Sequence, residues 1–327
     1  MLRSETEGAP DRRAAALAGL KAYQEAPRGA SPKARPARYR KGRARLRDYG
    51  GGGRPVIVVP SLINPPRILD LTPETSLLRW LATQGMHPLL LDWGHPGPEA
   101  RGMDLTAHVA RILLPLIAKC EAPPVLVGYC LGGTMALAAA CAAPVAGLAL
   151  LATPWRFAGF RGARADIAQL WAAARPAAEA MGLVPMEVLQ AGFWRLDPKR
   201  TIGKYETFAT LDPHSHAAQQ FVAMEDWANA GAPLPYATGV ELFERFVAED
   251  KPGRGQWRIG GKPVSPDRLT CPAIEFVSRH DRIVPAATAA GLPERRDLGA
   301  GHVGMIVGRG ARAQVWEPLA QWIAGLG

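Results

Sequence analysis

Residues 125–133 read Val125-Leu126-Val127-Gly128-Tyr129-Cys130-Leu131-Gly132-Gly133. The opening Val-Leu-Val is a short, wholly apolar run, the pattern of a strand covered on both faces of a sheet. Beyond Gly133 the chain continues through Thr134-Met135-Ala136-Leu137 and a run of small residues to about Ala143, which reads as a helix. Gly128-x-Cys130-x-Gly132 therefore joins a strand to a helix. A turn this tight needs glycine on its flanks, because a side chain there would collide as strand and helix pass. Cys130 is lifted above the sheet, and the N–H of Leu131 is aimed at the same space. The positive end of the following helix favours a thiolate there.

Outward from this turn the punctuation is regular. Val56-Ile57-Val58-Val59 and Pro88-Leu89-Leu90-Leu91 read as buried strands, and Val145 to Leu151 as another. Between them, residues 73–84 predict a helix with Thr72 as N-cap and Pro73 at its first position, and residues 104–119 predict an amphipathic helix. Residues 37–49 predict a hairpin turning at Lys41-Gly42. The cadence breaks over residues 155–265, which are Trp-, Pro- and Ala-rich. It resumes at Ala273–Val277 and near Arg296–Leu298, and a helix from about Ala311 to Ala324 closes the pattern. Alternating strand and helix means an α/β class with a mostly parallel sheet flanked by helices. The expected organisation is a core of residues 37–154 and 266–327, an inserted helical cap or lid at 155–265, and a basic, flexible arm at 1–36.

The chain of 327 residues is 48% hydrophobic and 21% charged, enough for one large core with an insertion. Its net charge of +10 is concentrated: residues 1–54 hold 14 Lys and Arg against 5 Asp and Glu, and the rest holds 25 against 24. The basic segment has only Tyr23, Tyr39 and Tyr49 as aromatic groups, so no nucleic-acid partner is expected. No apolar run reaches the roughly 20 residues of a membrane span, and the first residues lack a secretory pattern, so the expected address is cytoplasmic. Cys120, Cys130, Cys141 and Cys271 make no disulfide framework, and Cys120, Cys141 and Cys271 read as small buried apolar residues. Neither a metal site nor a permanently bound cofactor is expected.

A thiol at such a turn needs a base and an acid to orient it. His302 follows the last strand in the glycine-rich loop Gly299-Ala300-Gly301-His302-Val303-Gly304, which suits presentation of an imidazole. Asp281 follows the strand at 273–277 in Ser278-Arg279-His280-Asp281-Arg282-Ile283-Val284-Pro285; Asp267 and Asp297 are weaker rivals for the acid. Of the other histidines, His95 is a candidate to line the pocket. The chain order of nucleophile, acid and histidine is that of the α/β-hydrolase fold. There an oxyanion hole takes one backbone N–H from the residue after the nucleophile, here Leu131, and one from the loop after the first buried strand, here Leu62 or Ile63. Pro60 and Pro65 have no N–H to give.

At these residues the sequence resembles the polyhydroxyalkanoate synthases, in particular the short, class III-like catalytic subunits. The resemblance covers most of residues 55–310. It is carried by Pro66-Arg67-Ile68-Leu69-Asp70-Leu71 with Gln84-Gly85, by Gly128-Tyr129-Cys130-Leu131-Gly132-Gly133-Thr134, by Met224-Glu225-Asp226-Trp227, by Asp281-Arg282-Ile283-Val284-Pro285 and by Gly301-His302-Val303-Gly304. It implies polymerisation of (R)-3-hydroxyacyl-CoA into polyester: Cys130 takes the acyl group from CoA, His302 deprotonates Cys130, and Asp281 orients His302 or helps activate the incoming hydroxyl. It also implies an accessory subunit or a homodimer and a place at the polyester granule surface, with CoA thioester as substrate. The sequence departs from the family at Arg282, where many members carry His, and across residues 156–215, and no counterpart of the long N-terminal domain of larger synthases is expected. The alternatives are an α/β-hydrolase that cleaves an ester or thioester, such as a thioesterase, a depolymerase or a dienelactone-hydrolase-like enzyme, and a non-enzymatic scaffold.

Overall fold

The computed structural model describes residues 2–28 and 33–326. The main sheet has eight strands: β1 (Ala37–Lys41), β2 (Ala44–Asp48), β3 (Pro55–Val59), β4 (His87–Asp92), β5 (Val125–Tyr129), β6 (Gly147–Leu151), β7 (Ala273–Ser278) and β8 (Glu294–Leu298). Their spatial order is β1-β2-β4-β3-β5-β6-β7-β8. β1 and β2 form the antiparallel hairpin, and β2 runs antiparallel to β4. From β4 across to β8 every neighbouring pair is parallel. Every residue of β5 and β6 is buried, as the unbroken apolar runs require of strands covered on both faces. Edge strand β8 is different: Glu294, Arg295, Arg296 and Asp297 are exposed, and that charge discourages pairing with a further strand.

The helices that bear on the site are α1 (Pro10–Glu25), α2 (Leu131–Ala140), α3 (Ala163–Met181), α4 (Met186–Leu196), α5 (Pro198–Phe208) and α6 (His216–Ala228). α2 is buried along its whole length, and its small residues let it lie close on the sheet. The helical segments Leu105–Ile117 and Arg312–Ala324 each contain a π stretch, at Val109–Leu113 and at Arg312–Trp316. In both, proline stands two residues beyond the stretch, at Pro115 and Pro318, where the ladder must be rearranged around a missing N–H. α3 to α6 all lie in the insertion between β6 and β7, within the span expected to form the cap.

Two expectations are corrected. The helix expected from Thr72 begins at Leu77, with Ser76 Oγ accepting from the N–H of Arg79 at 3.1 Å. Thr72 instead caps a tight turn, accepting from the N–H of Thr75, and a bridge between Asp70 and Ser76 holds the segment out of the helix. The flexible arm expected at 1–36 is contradicted over residues 10–25, which form α1. Its Ala16, Gly19 and Tyr23 are buried at helical spacing, and Tyr23 packs with Phe208, Ala218 and Val222 of α5 and α6. Residues 1 and 29–32 of that arm lie outside the described residues.

Candidate active site

Cys130 stands between β5 and α2 with a φ of 56°, a left-handed backbone that non-glycine residues rarely adopt. Its N–H donates to Leu151 O at 2.9 Å and its carbonyl accepts from the N–H of Gly133 at 2.9 Å, so both strand and helix hold the strained residue in place. The flanking glycines are required by close approach. A Cβ on Gly128 would lie 2.3 Å from the Cα of Gly133, and one on Gly132 would lie 2.1 Å from Val59 O.

His302 and Asp281 converge on this turn. Asp281 Oδ2 is 2.6 Å from His302 Nδ1, and the Asp281 side chain is sealed from solvent. Its other oxygen accepts the N–H groups of Ile283 and Val284, each at 2.8 Å. Nδ1 is thus committed to the carboxylate, which leaves the imidazole's other nitrogen for the cavity that His302 and Cys130 line together. Burial opposes protonation of His302, but the negative charge at Cys130 and then at Asp281 outweighs it and pushes the imidazole up to about 10. Tyr129 stacks on the His302 ring with centroids 5.1 Å apart, and its hydroxyl donates to His302 O at 3.2 Å. The sequence reading gave Tyr129 no role; its one signal is adjacency to the cysteine.

Above the thiol lies a cavity of about 210 Å³. The core contributes Ser61, Ile63, Asn64, Tyr129, Cys130, Ile283 and His302 to its walls. The insertion contributes Gln190, Phe193 and Trp194 from α4, Thr201 and Lys204 from α5, and Trp227 and Ala228 from α6. No sequence reading singled out the α4 and α5 residues, although the aromatic pair Phe193-Trp194 is a visible signal in a helix of this length. The arrangement can hold an acyl chain against apolar walls in a cavity that a thiol and an imidazole both line.

Residues 56–313 match the model of the alpha/beta hydrolase family. The chain belongs to this family. Relatives of the chain include the poly(3-hydroxyalkanoate) polymerase subunit PhaC of Haloferax mediterranei, 26% identical over 83% of this chain and 58% of that protein. The subunit of the same name from Allochromatium vinosum is 26% identical over 82% of this chain and 80% of that protein. The resemblance to polyhydroxyalkanoate synthases read from the motifs is borne out by these relatives. The chain spans about three-fifths of the length of the Haloferax protein. Among solved structures, a putative non-heme bromoperoxidase, BpoC of Mycobacterium tuberculosis, aligns with a TM-score of 0.55 at 16% identity, covering 87% of this chain and 96% of its own. A monoacylglycerol lipase from Paleococcus ferrophilus aligns with a TM-score of 0.54 at 13% identity, covering 87% and 99%. These likenesses show the alpha/beta hydrolase fold.

Within the family fold the remaining candidates fall as follows. Leu131 opens α2 directly after Cys130, where an oxyanion donor of this family is sited. Ile63 lines the cavity, but its N–H is directed at Ser61 Oγ, 3.2 Å away. Leu62 is partly buried and is not among the cavity's lining residues. His95 is exposed and is likewise not among them, so the expectation that it lines the pocket is corrected. Asp267 and Asp297, the rival acids, are exposed, and Asp297 pairs with Arg295 at 2.8 Å. Arg282 pairs with Asp197, the N-cap of α5, which ties the acid loop to the insertion. Burial pushes the Cys120 thiol up to about 11 and raises those of Cys141 and Cys271. All three are only partly buried, less than expected. Among the described residues no cluster of His, Cys, Asp and Glu is arranged to hold a metal ion, and no helix is long and apolar enough to cross a membrane.

Proposed function

We propose that the protein is a cysteine-nucleophile acyltransferase that polymerises (R)-3-hydroxyacyl-CoA into polyhydroxyalkanoate. The observation that carries this reading is a cysteine at the elbow, lining one cavity with the Asp281-held imidazole of His302, in a chain similar over more than four-fifths of its length to poly(3-hydroxyalkanoate) polymerase subunits. His302 takes the proton of Cys130, and the thiolate attacks the thioester carbonyl of the acyl-CoA. The oxyanion forms toward the N–H of Leu131, with Ile63 or Leu62 as the second donor after rearrangement of the loop at residues 60–65. The C–S bond to CoA breaks, His302 gives its proton to the departing thiolate, and the acyl group remains on Cys130 as a thioester. The hydroxyl of another 3-hydroxyacyl unit then gives up its proton to His302 and attacks this thioester, which lengthens the ester chain by one unit and frees Cys130.

The sealed Asp281 carboxylate, held by Ile283 and Val284, supports a role in orienting His302 over one in touching the incoming hydroxyl. Apolar groups from α4 and α6 around the thiol favour alcohol over water as acceptor. CoA thioester enters as substrate, with no permanently bound cofactor. An accessory synthase subunit or a second copy of the chain, and a cytoplasmic location at the polyester granule surface, complete the proposal.

The test is product analysis with 3-hydroxybutyryl-CoA. CoA release with accumulating polyester is expected, and Cys130→Ala is expected to abolish both. Free 3-hydroxybutyrate as the sole product, even with lysate of a polymer-storing cell added, would sink the synthase reading in favour of hydrolysis.

A further inference from the structure

Three consecutive residues near the end of α6, Glu225-Asp226-Trp227, each reach a different part of the molecule. Glu225, 7% exposed, accepts from Lys204 Nζ at 2.7 Å on both of its oxygens and from the Tyr205 hydroxyl at 2.8 Å, all on α5. Asp226 accepts from the Tyr23 hydroxyl at 2.6 Å and from the Arg28 guanidinium at 3.3 Å, both in the N-terminal segment. Trp227 sends its indole N–H to Pro65 O at 2.9 Å, on the core loop after β3. Lys204 and Trp227 also line the cavity over Cys130.

α1 meets α5 closely as well. A Cβ on Gly19 would stand 1.9 Å from Tyr205 O, and Arg12 pairs with Glu206 at 2.9 Å. α1 therefore grips the two helices that carry Lys204 and Trp227, without itself lining the cavity. Tyr23 sits at the junction: its ring packs against α5 and α6, while its hydroxyl reaches the carboxylate next to Trp227.

We propose that α1 is a clasp on the insertion, and that the Tyr23–Asp226 hydrogen bond sets how closely α5 and α6 stand over Cys130. Tyr23 and Asp226 are positioning residues that act through Lys204 and Trp227. The inference rests on the reading of Cys130 as the reactive thiol.

The test uses the full chain and three variants, Tyr23→Phe, Asp226→Ala and the double. Tyr23→Phe keeps the aromatic packing and removes only the hydroxyl. Alkylation of each cysteine by iodoacetamide is followed by mass spectrometry, well below the unfolding midpoint. Each single variant is expected to raise the rate at Cys130 about three- to tenfold, with Cys120, Cys141 and Cys271 unchanged, because a local opening exposes one site only. The double variant is expected to fall close to Asp226→Ala, since the Tyr23–Asp226 bond is lost in both changes and Tyr23→Phe gives up beyond it a long contact from Asn229 Nδ2 at 3.5 Å. With 3-hydroxybutyryl-CoA, KM rises while kcat is largely kept. An unchanged Cys130 rate in both single variants overturns the clasp. So do multiplying effects in the double, or a parallel rise at all four cysteines, which is general loosening. Preference for Cys130 in the unaltered chain tests the nucleophile, and the ratio of variant to wild type tests the clasp, so the two readings fail separately.

Discussion

Asp281 Oδ2 lies 2.6 Å from His302 Nδ1, while Asp281 Oδ1 takes two backbone N–H groups at 2.8 Å. The carboxylate is thereby fixed from one side and fixes the ring from the other. Asp281→Asn keeps the shape but offers an amide that can donate, which allows the wrong tautomer of His302. CoA release from 3-hydroxybutyryl-CoA is expected to fall by about 10³-fold or more. A loss of less than tenfold would move the acid to another residue.

The second prediction concerns the imidazole itself. After burial, which lowers it, the charge at Cys130 is the leading influence on His302 and holds it at about 10. Cys130→Ala removes that charge and leaves burial opposed by Asp281 alone, so the His302 pKa must drop. NMR titration of the ring should show a lower midpoint in the variant than in the wild type. Identical midpoints would mean that the two side chains are not coupled.

What the sequence made legible follows from periodicity and sterics. Val56–Val59, Pro88–Leu91 and Val125–Val127 are apolar at every position, and runs this short between turn residues suit strands covered on both faces. Gly128 and Gly132 announce the elbow because no larger residue fits beside Gly133 and Val59. α1 stayed hidden because it buries Ala16, Gly19 and Tyr23, of which only Tyr23 is large, so no apolar stripe stands out against its Arg and Ala residues. The start of the helix at Leu77 was misread because Thr72-Pro73 is as good a local signal as Ser76. The bridge between Asp70 and Ser76, a contact beyond a local reading, decides between them. The cavity wall from α4 and α5 was illegible for a related reason: which face of a helix looks at the thiol depends on how the insertion folds back.

The steric reading of the elbow makes a paired prediction. Gly132→Ala places a Cβ 2.1 Å from Val59 O, and backbone cannot yield as a flexible side chain can. Destabilisation of about 1–3 kcal/mol is expected in urea unfolding, with loss of selective Cys130 alkylation. At Gly203, inside α5, an added methyl would meet no atom of the described residues within 4 Å, so Gly203→Ala should gain up to about 1 kcal/mol from helix propensity. Equal effects of the two changes would refute the close-approach argument.

The last prediction is a pH dependence set far from the chemistry, at His108, which is fully buried. Its Nδ1 contacts Asp104 O at 2.7 Å and its Nε2 contacts the Arg43 guanidinium at 3.1 Å. Arg43 can only donate, so Nε2 accepts and the ring is neutral with its proton on Nδ1. Burial is the main reason that its pKa is lowered from 6.5 to about 4, and the charge of Arg43 adds to it. In the unfolded chain His108 takes up a proton below pH 6.5, whereas in the folded chain it resists down to about 4. Between those values the unfolded state binds more protons, so stability falls as pH falls. The contribution is fully present above pH 6.5 and amounts to about 3 kcal/mol lost on descending to pH 4. His108→Gln retains a carbonyl for Arg43 but cannot titrate in this range. Urea unfolding at several pH values between 7 and 4 should show a shallower acid slope in His108→Gln than in the wild type; parallel slopes would assign the acid sensitivity to the carboxylates instead.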